Sequence, residues 1–269
     1  SDLAGWILSL LGLGAVLVGL LSAGGGLGGV VFVAGMAILD VGVLLGAGGQ
    51  SLERRARAIE PYCGPSPVLV LLASIVTVYL FAVAVGLPLA AAGITLPGPA
   101  AELLLVALHA ATYAAITRLL VVGTGALGWA EMGFAGPLRR AVAEAAWGAV
   151  LAGPVIIATA GLSALLVAAL KVTPASPLPV AGTTGGLALN LLSGAVLAPL
   201  GEELLFRGVA TTAWVRSIGA RGGIVRAALL FSLMHVLFLS GDSFGQALGL
   251  VAVGFVGRLP VALALGWVY

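Results

Sequence analysis

Apolar runs of about 20 residues recur along the whole chain, and nothing else in the sequence narrows its folding as far. They read as 3–23, 28–48, 68–92, 101–122, 148–171, 187–208, 223–240 and 245–268, the seventh being short. The hydrocarbon core of a bilayer is about 30 Å thick, and roughly 20 helical residues cross it. No water is present there to satisfy backbone N–H and C=O groups, so each crossing segment must satisfy its own. The pattern therefore predicts an all-α, polytopic membrane protein with about eight transmembrane helices. Composition points the same way. Of 269 residues, 61% are hydrophobic and 8% are charged, against about 25% charged in soluble domains. So few charges cannot cover a water-facing surface, and lipid must be the solvent for most of it. The 41 glycines suit helices that approach closely in a membrane.

The arginines alternate between loops. Arg54, Arg55 and Arg57 follow segment two; Arg118, Arg139 and Arg140 flank the loop after segment four; Arg207, Arg216, Arg221 and Arg226 flank the loop after segment six. The intervening loops hold little beyond Lys171. By the positive-inside rule the arginine-rich loops, and with them both termini, are expected in the cytoplasm. The expected location is a bacterial or archaeal cytoplasmic membrane, with membrane lipids as partners. Stretch 129–147 is less apolar and reads either as an interfacial amphipathic helix leading into segment five or as a plain juxtamembrane loop. The net charge of +2 and arginines that do not interleave with aromatics exclude nucleic acid as a partner. Cys63 is the only cysteine, which excludes an internal disulfide and any cysteine-based metal cluster. Ser1 is not a methionine, so the chain as given is expected to start after processing or inside a longer reading frame; segment one reads as a spanning helix and not as a removable signal peptide.

Chemistry concentrates late in the chain. Segment six closes with Glu202, Glu203 and Arg207, the first charges since Lys171. A charge at membrane depth costs at least about 2.5–3.5 kcal/mol, so such residues are usually paired and functional. On an α-helix Glu203 and Arg207 are four apart and share a face, whereas Glu202 is turned about 100° away. The expected division is a Glu203–Arg207 ion pair with Glu202 left to point into a cavity, widened by Pro199 just before it. The plainer alternative leaves both acids solvated at the helix end. On segment seven Phe231 and His235 are four apart and share a face. A short loop joins segments six and seven, so Glu202 and His235 are candidates to position and deprotonate a water. His109, the other of two histidines, reads as a packing or hydrogen-bonding residue. Asp40 in segment two is a weaker candidate that either pairs with a neighbouring helix or sits near an interface, and Asn190 poses the same choice. There is no His-Glu-x-x-His, no Walker loop and no Gly-x-Ser-x-Gly elbow.

The pattern Glu202-Glu203-x-x-x-Arg207 followed by Phe231-x-x-x-His235 resembles the first two signature motifs of the CPBP family. That family includes the CAAX prenyl endopeptidases and the bacteriocin-processing Abi proteins. Trp129–Phe134 is similar to the segment that often precedes the family's core domain. The resemblance spans about residues 125–269 and divides the chain into an N-terminal four-helix membrane region, 1–124, and a CPBP-like core, 125–269. It implies that Glu202 is the general base acting with His235 on the attacking water. Glu203 and Arg207 would support the site, and Phe231 would pack beside it. Family members are often labelled metalloproteases, but two acids and one histidine make a poor zinc set; the expectation is a glutamate-activated water with no cofactor and no obligatory metal. The family's last helix carries a further His and a nearby Asn. Neither follows His235 here, so the core is expected to be incomplete at its C-terminal end: either the natural chain continues, or the site lacks its oxyanion donor.

Three functions follow as expectations. The first is an intramembrane endopeptidase that hydrolyses a peptide bond of a membrane-associated protein or peptide. The second is a catalytically silent accessory subunit of a larger membrane complex. The third is a small transporter, motivated by Asp40 and Glu202, although no duplicated halves or paired broken helices are visible.

Overall fold

The computed structural model describes all residues except 1, 23–25, 58–60, 135, 137 and 177; the side chains of Asp2, Leu138, Arg140 and Ala141 lie outside the description as well. The described residues form eight helices and no strand. They are α1 (Asp2–Leu21), α2 (Gly26–Arg57), α3 (Pro67–Ala91), α4 (Gly98–Val122), α5 (Leu138–Leu170), α6 (Thr184–Ile218), α7 (Ala220–Met234) and α8 (Phe244–Val268).

Seven of these are long and apolar enough to cross a membrane, one fewer than the expected eight. The exception is α7. Its 15 residues, at 1.5 Å each, make about 22 Å, short of the roughly 30 Å hydrocarbon core. The apolar run 223–240 suggests a longer helix, but the backbone turns at His235, and Val236–Phe238 are apolar residues of a turn. Stretch 129–147 follows neither expected form throughout. Residues 129–133 are turn, and Leu138 already opens the 33-residue α5.

The chain forms two compact units. One comprises Ser1–Gly128 with Leu178–Leu205, and the other Trp129–Pro177 with Phe206–Tyr269. Leu178–Leu205 thus packs with the N-terminal helices.

In the first unit, α1 and α2 form a hairpin built on glycine. A Cβ added at Gly12 would lie 2.3 Å from the Leu39 nitrogen, at Gly19 2.5 Å from the Phe32 nitrogen, and at Gly35 2.6 Å from the Val16 nitrogen. The backbones touch because no side chain stands between them. Val16, Met36 and Val76 fill the remaining space with Phe32, Leu39 and Leu80 around them. A polar contact joins α2 to α3: the Thr77 hydroxyl donates to Asp40 Oδ1 at 2.7 Å. Asp40 therefore pairs with a neighbouring helix, one of the two roles expected for it. Loop 61–66 is tied back to α2 by Arg54, which donates to the Gly64 carbonyl at 2.9 Å, and is braced within itself by the Tyr62 hydroxyl, which donates to the Pro65 carbonyl at 2.9 Å. Burial pushes the Tyr62 phenol up from its usual range, with Arg54 pulling the other way. The start of α6 runs along α4, with Gly186 against Pro99 and Gly201 against Ala110. Asn190 joins this unit by donating to the Pro179 carbonyl at 2.8 Å.

In the second unit α8 packs on α5, where Gly257 faces Ser163, and on α7, where Gly266 faces Ile224. The turn between α6 and α7 is Gly219, at φ 83°. That left-handed backbone suits a residue without Cβ. Gly223 then lies against Val215, with room for no side chain. Turn 129–133 docks in the same unit. Glu131 accepts from Arg216 at 2.7 Å, and Gly133, at φ 79°, lies beneath the Tyr269 ring.

Candidate functional site

The motif lies where α6 stops being an α-helix. Ser193–Leu197 and Glu203–Thr211 are wound as π-helix, with Ala198–Glu202 as a single α segment between them. A π turn closes i→i+5 hydrogen bonds and appears often at functional sites. Pro199 supplies a local cause for the first stretch. It has no N–H to offer the residue four before it, and the ladder reopens one residue wider, with the Ala198 N–H reaching the Ser193 carbonyl. Side chains brace the second stretch. The Thr211 hydroxyl donates to the Phe206 carbonyl at 2.9 Å, and that of Thr212 to the Arg207 carbonyl at 3.2 Å. Both reach back five residues, where a threonine on an α-helix reaches back three or four.

This winding changes the premise of the expected Glu203–Arg207 pairing. Four-residue spacing places side chains on one face only at α periodicity, and Glu203 through Thr211 do not have it. Glu202 and Glu203 belong to the first unit; Arg207, Phe231 and His235 lie in the second.

Three of the expected residues meet in the second unit. The Arg207 guanidinium sits 4.6 Å from the centroid of the Phe231 ring. Phe206 meets the same ring edge-on at 5.1 Å, and the His235 ring lies 4.4 Å from it. Arg207 is 2% exposed and Phe231 6%, so this cation–aromatic contact is shielded from water, where it is strongest. His235 is the residue at which α7 ends, and its Nδ1 lies 2.8 Å from the Phe231 carbonyl. A carbonyl can only accept, so Nδ1 carries the proton, and the lone pair of the neutral ring is on Nε2. The ring is thus fixed in the tautomer a proton acceptor needs.

In the first unit Glu202 is half-buried, and Gly201 before it lies against Ala110 and the Tyr113 ring of α4. Tyr113 was missed in the sequence. The available signal was its place four residues after His109 on one helix, and the two rings do meet edge-on at 5.9 Å. His109 Nδ1 donates to the Leu105 carbonyl at 2.8 Å, in keeping with the packing and hydrogen-bonding role expected for it. Among the described residues no three of His, Cys, Asp and Glu gather as a metal-binding group.

Comparison with known proteins adds one result. Residues 184–269 match the family described as Type II CAAX prenyl endopeptidase Rce1-like. No curated protein and no solved structure matches the chain. The matched segment carries Glu202, Glu203, Arg207, Phe231 and His235. Over these residues the chain is similar to the CAAX-type prenyl endopeptidases, which supports the resemblance to the CPBP family.

Proposed function

We propose that the protein is an intramembrane endopeptidase that hydrolyses a peptide bond in a membrane-anchored peptide or protein, with Glu202 as general base. The match of residues 184–269 to the prenyl endopeptidase family carries this reading. In the proposed step Glu202 takes a proton from a water as the water oxygen attacks the scissile carbonyl carbon. The tetrahedral intermediate collapses with breakage of the C–N bond, and the proton passes to the leaving amine. The family resemblance assigns His235 to the same step, and the nitrogen it would use is Nε2, which the Nδ1–H contact to the Phe231 carbonyl leaves unprotonated. Arg207 holds the motif helix against Phe231. No step is routed through a metal. The substrate class follows from the setting: a site on a membrane helix meets peptides held at the bilayer by a lipid anchor or an apolar segment.

The test is hydrolysis in proteoliposomes of a panel of membrane-anchored peptides, including a prenylated C-terminal peptide. Glu202→Gln keeps shape and loses the base, and should lower kcat by about 10²–10⁴-fold. Equal turnover by wild type and Glu202→Gln would overturn the assignment.

A further inference from the structure

We infer that water and substrate reach His235 from the membrane face marked by Lys171 and Asp242, opposite the Arg216–Arg221 turn, and that the bond hydrolysed lies in a juxtamembrane stretch of the substrate, not in the middle of a spanning segment. The inference rests on the hydrolytic reading above and adds the side and the depth at which it operates. Both are measured along α8, inside the second unit. Three glycines of α8 mark levels on its neighbours. A Cβ built at Gly266 would stand 3.1 Å from Ile224 Cγ2, near the start of α7. One at Gly254 would stand 2.8 Å from Val236 Cγ1, on the residue after His235, and one at Gly249 2.7 Å from Val172 Cγ1, just past the end of α5. At 1.5 Å per residue, Gly249 lies about 7.5 Å from Gly254, and Gly254 about 18 Å from Gly266. Arg221, three residues before Ile224, adds about 4.5 Å. The distance from the level of Lys171 to that of Arg221 is thus about 30 Å, the thickness of the hydrocarbon core. These two exposed charges mark its two boundaries. Arg226 is less than two turns further in, exposed, and long enough to snorkel back to the arginine face. His235 is then about 7.5 Å below the near boundary and about 22 Å from the far one.

The chain is polar on the near side of His235. Ser240, Gly241, Asp242 and Ser243 lead from its turn to α8 and are exposed. The Gln246 N–H donates to the Ser243 hydroxyl at 3.2 Å, and the Asp242 N–H to Gln246 Oε1 at 2.6 Å. On the far side the chain is the helix α7, with Phe231 and Ser232 buried. Arg258 of α8 reaches toward the near face, since it donates to the Gly254 carbonyl at 3.0 Å. A charge at that depth is costly unless polar groups or water meet it. A peptide bond beside the near boundary reaches the level of His235 with little displacement. A bond at the bilayer centre, about 15 Å down, must rise by about 7.5 Å, which draws about five apolar helical residues out of lipid.

Sidedness is read in intact cells, in a Cys63→Ser background, with a membrane-impermeant maleimide. Thr173→Cys and Ser240→Cys should label from one side, and Ser217→Cys only from the other. Depth is read by power saturation of a nitroxide on Leu237→Cys, a half-exposed position two residues from His235. It should report a place within about 10 Å of the boundary. In proteoliposomes a peptide with its bond beside the near boundary should be cleaved about 10-fold faster than one with the same bond at the centre of a spanning segment. Labelling of Ser217→Cys and Ser240→Cys from the same side, or a nitroxide at the bilayer centre, overturns the inference whatever the enzyme does. The expected labelling and depth, with equal cleavage of both peptides and a dead Glu202→Gln, overturns the substrate assignment while the hydrolytic reading stands. Full activity in Glu202→Gln overturns the hydrolytic reading and the substrate assignment with it.

Discussion

The α1–α2 hairpin and the stack around Phe231 hold helices together by opposite means. In the hairpin the side chains are absent at the contact: Gly12, Gly19 and Gly35 let backbone lie on backbone. In the stack the side chains are the contact: Phe206, Arg207 and His235 converge on one ring. The difference follows from the solvent. Lipid tails are as apolar as leucine, so burying apolar surface between helices gains little, and association depends on close packing and on polar contacts. Glycine provides the first without chemistry. An arginine and a histidine against an aromatic face provide the second, and they bring groups that can move protons or hold charge. The hairpin is a scaffold, and the stack is built on the motif that the family match covers.

The contrast breaks most visibly at Phe231. Phe231→Ala empties the centre of the stack and should cost about 3–5 kcal/mol, read by thermal unfolding in detergent micelles. Phe231→Leu sharpens the point, since it keeps most of the volume and loses the ring face. It should still cost about 1–2 kcal/mol from the lost aromatic and cation contacts. A neutral Phe231→Leu would mean that the ring acts by size alone, and the two regions would differ less than their composition suggests.

In the hairpin the informative comparison is between two glycines of one helix. Gly12→Ala forces a Cβ to 2.3 Å from the Leu39 backbone and should cost about 1–3 kcal/mol. Gly14 has nothing within 4 Å of its Cβ position, so Gly14→Ala should stabilise α1 by about 0.5–1 kcal/mol through helix propensity. Opposite signs in the same unfolding assay would establish packing as the reason for glycine at 12. A loss at both positions would point to the backbone freedom of glycine itself.

What could be read in the sequence depended on whether the physics was local. Spanning helices were legible because lipid permits long runs without charge. The seventh was not, because Val236–Phe238 are as apolar as a helix interior while the backbone around them turns. The Phe231–His235 relation was legible because α7 has ordinary α periodicity up to Met234. The winding after Glu202 was not, because periodicity arguments assume 3.6 residues per turn and Glu203–Thr211 are wound wider. Pro199 was the one local hint of that winding. The approach of α4 to Gly201 was invisible for a different reason: Ala110 and Tyr113 reach the motif over a position without a side chain, and nothing near Gly201 in the sequence names those neighbours. The glycine spacing of 5, 12 and 19 on α1 and 28, 35 and 42 on α2 repeats every seven residues, and a search for repeats of single small residues would have found the hairpin.

The smallest expected effect lies at the edge of the second unit, where Glu131 accepts from Arg216 at 2.7 Å. This pair has the ingredients of the stack, an arginine and a partner, but not its burial: the two side chains are 33% and 44% exposed. Water screens such a pair and both side chains lose freedom in forming it, so exposed pairs contribute about 0.2–1 kcal/mol. Glu131→Gln should therefore destabilise by no more than that, and the difference from wild type should fade as salt rises from 0.1 M to 1 M and the screening length drops from about 10 Å to about 3 Å. Turn 129–133 has a second hold in the same unit, since Gly133 lies under the Tyr269 ring and the Tyr269 and Thr212 hydroxyls are 3.0 Å apart. Its position should thus survive the loss of Glu131. A loss above 2 kcal/mol that persists at 1 M salt would show that the ion pair behaves as a buried one, and burial would no longer separate this contact from the one Arg207 makes with Phe231.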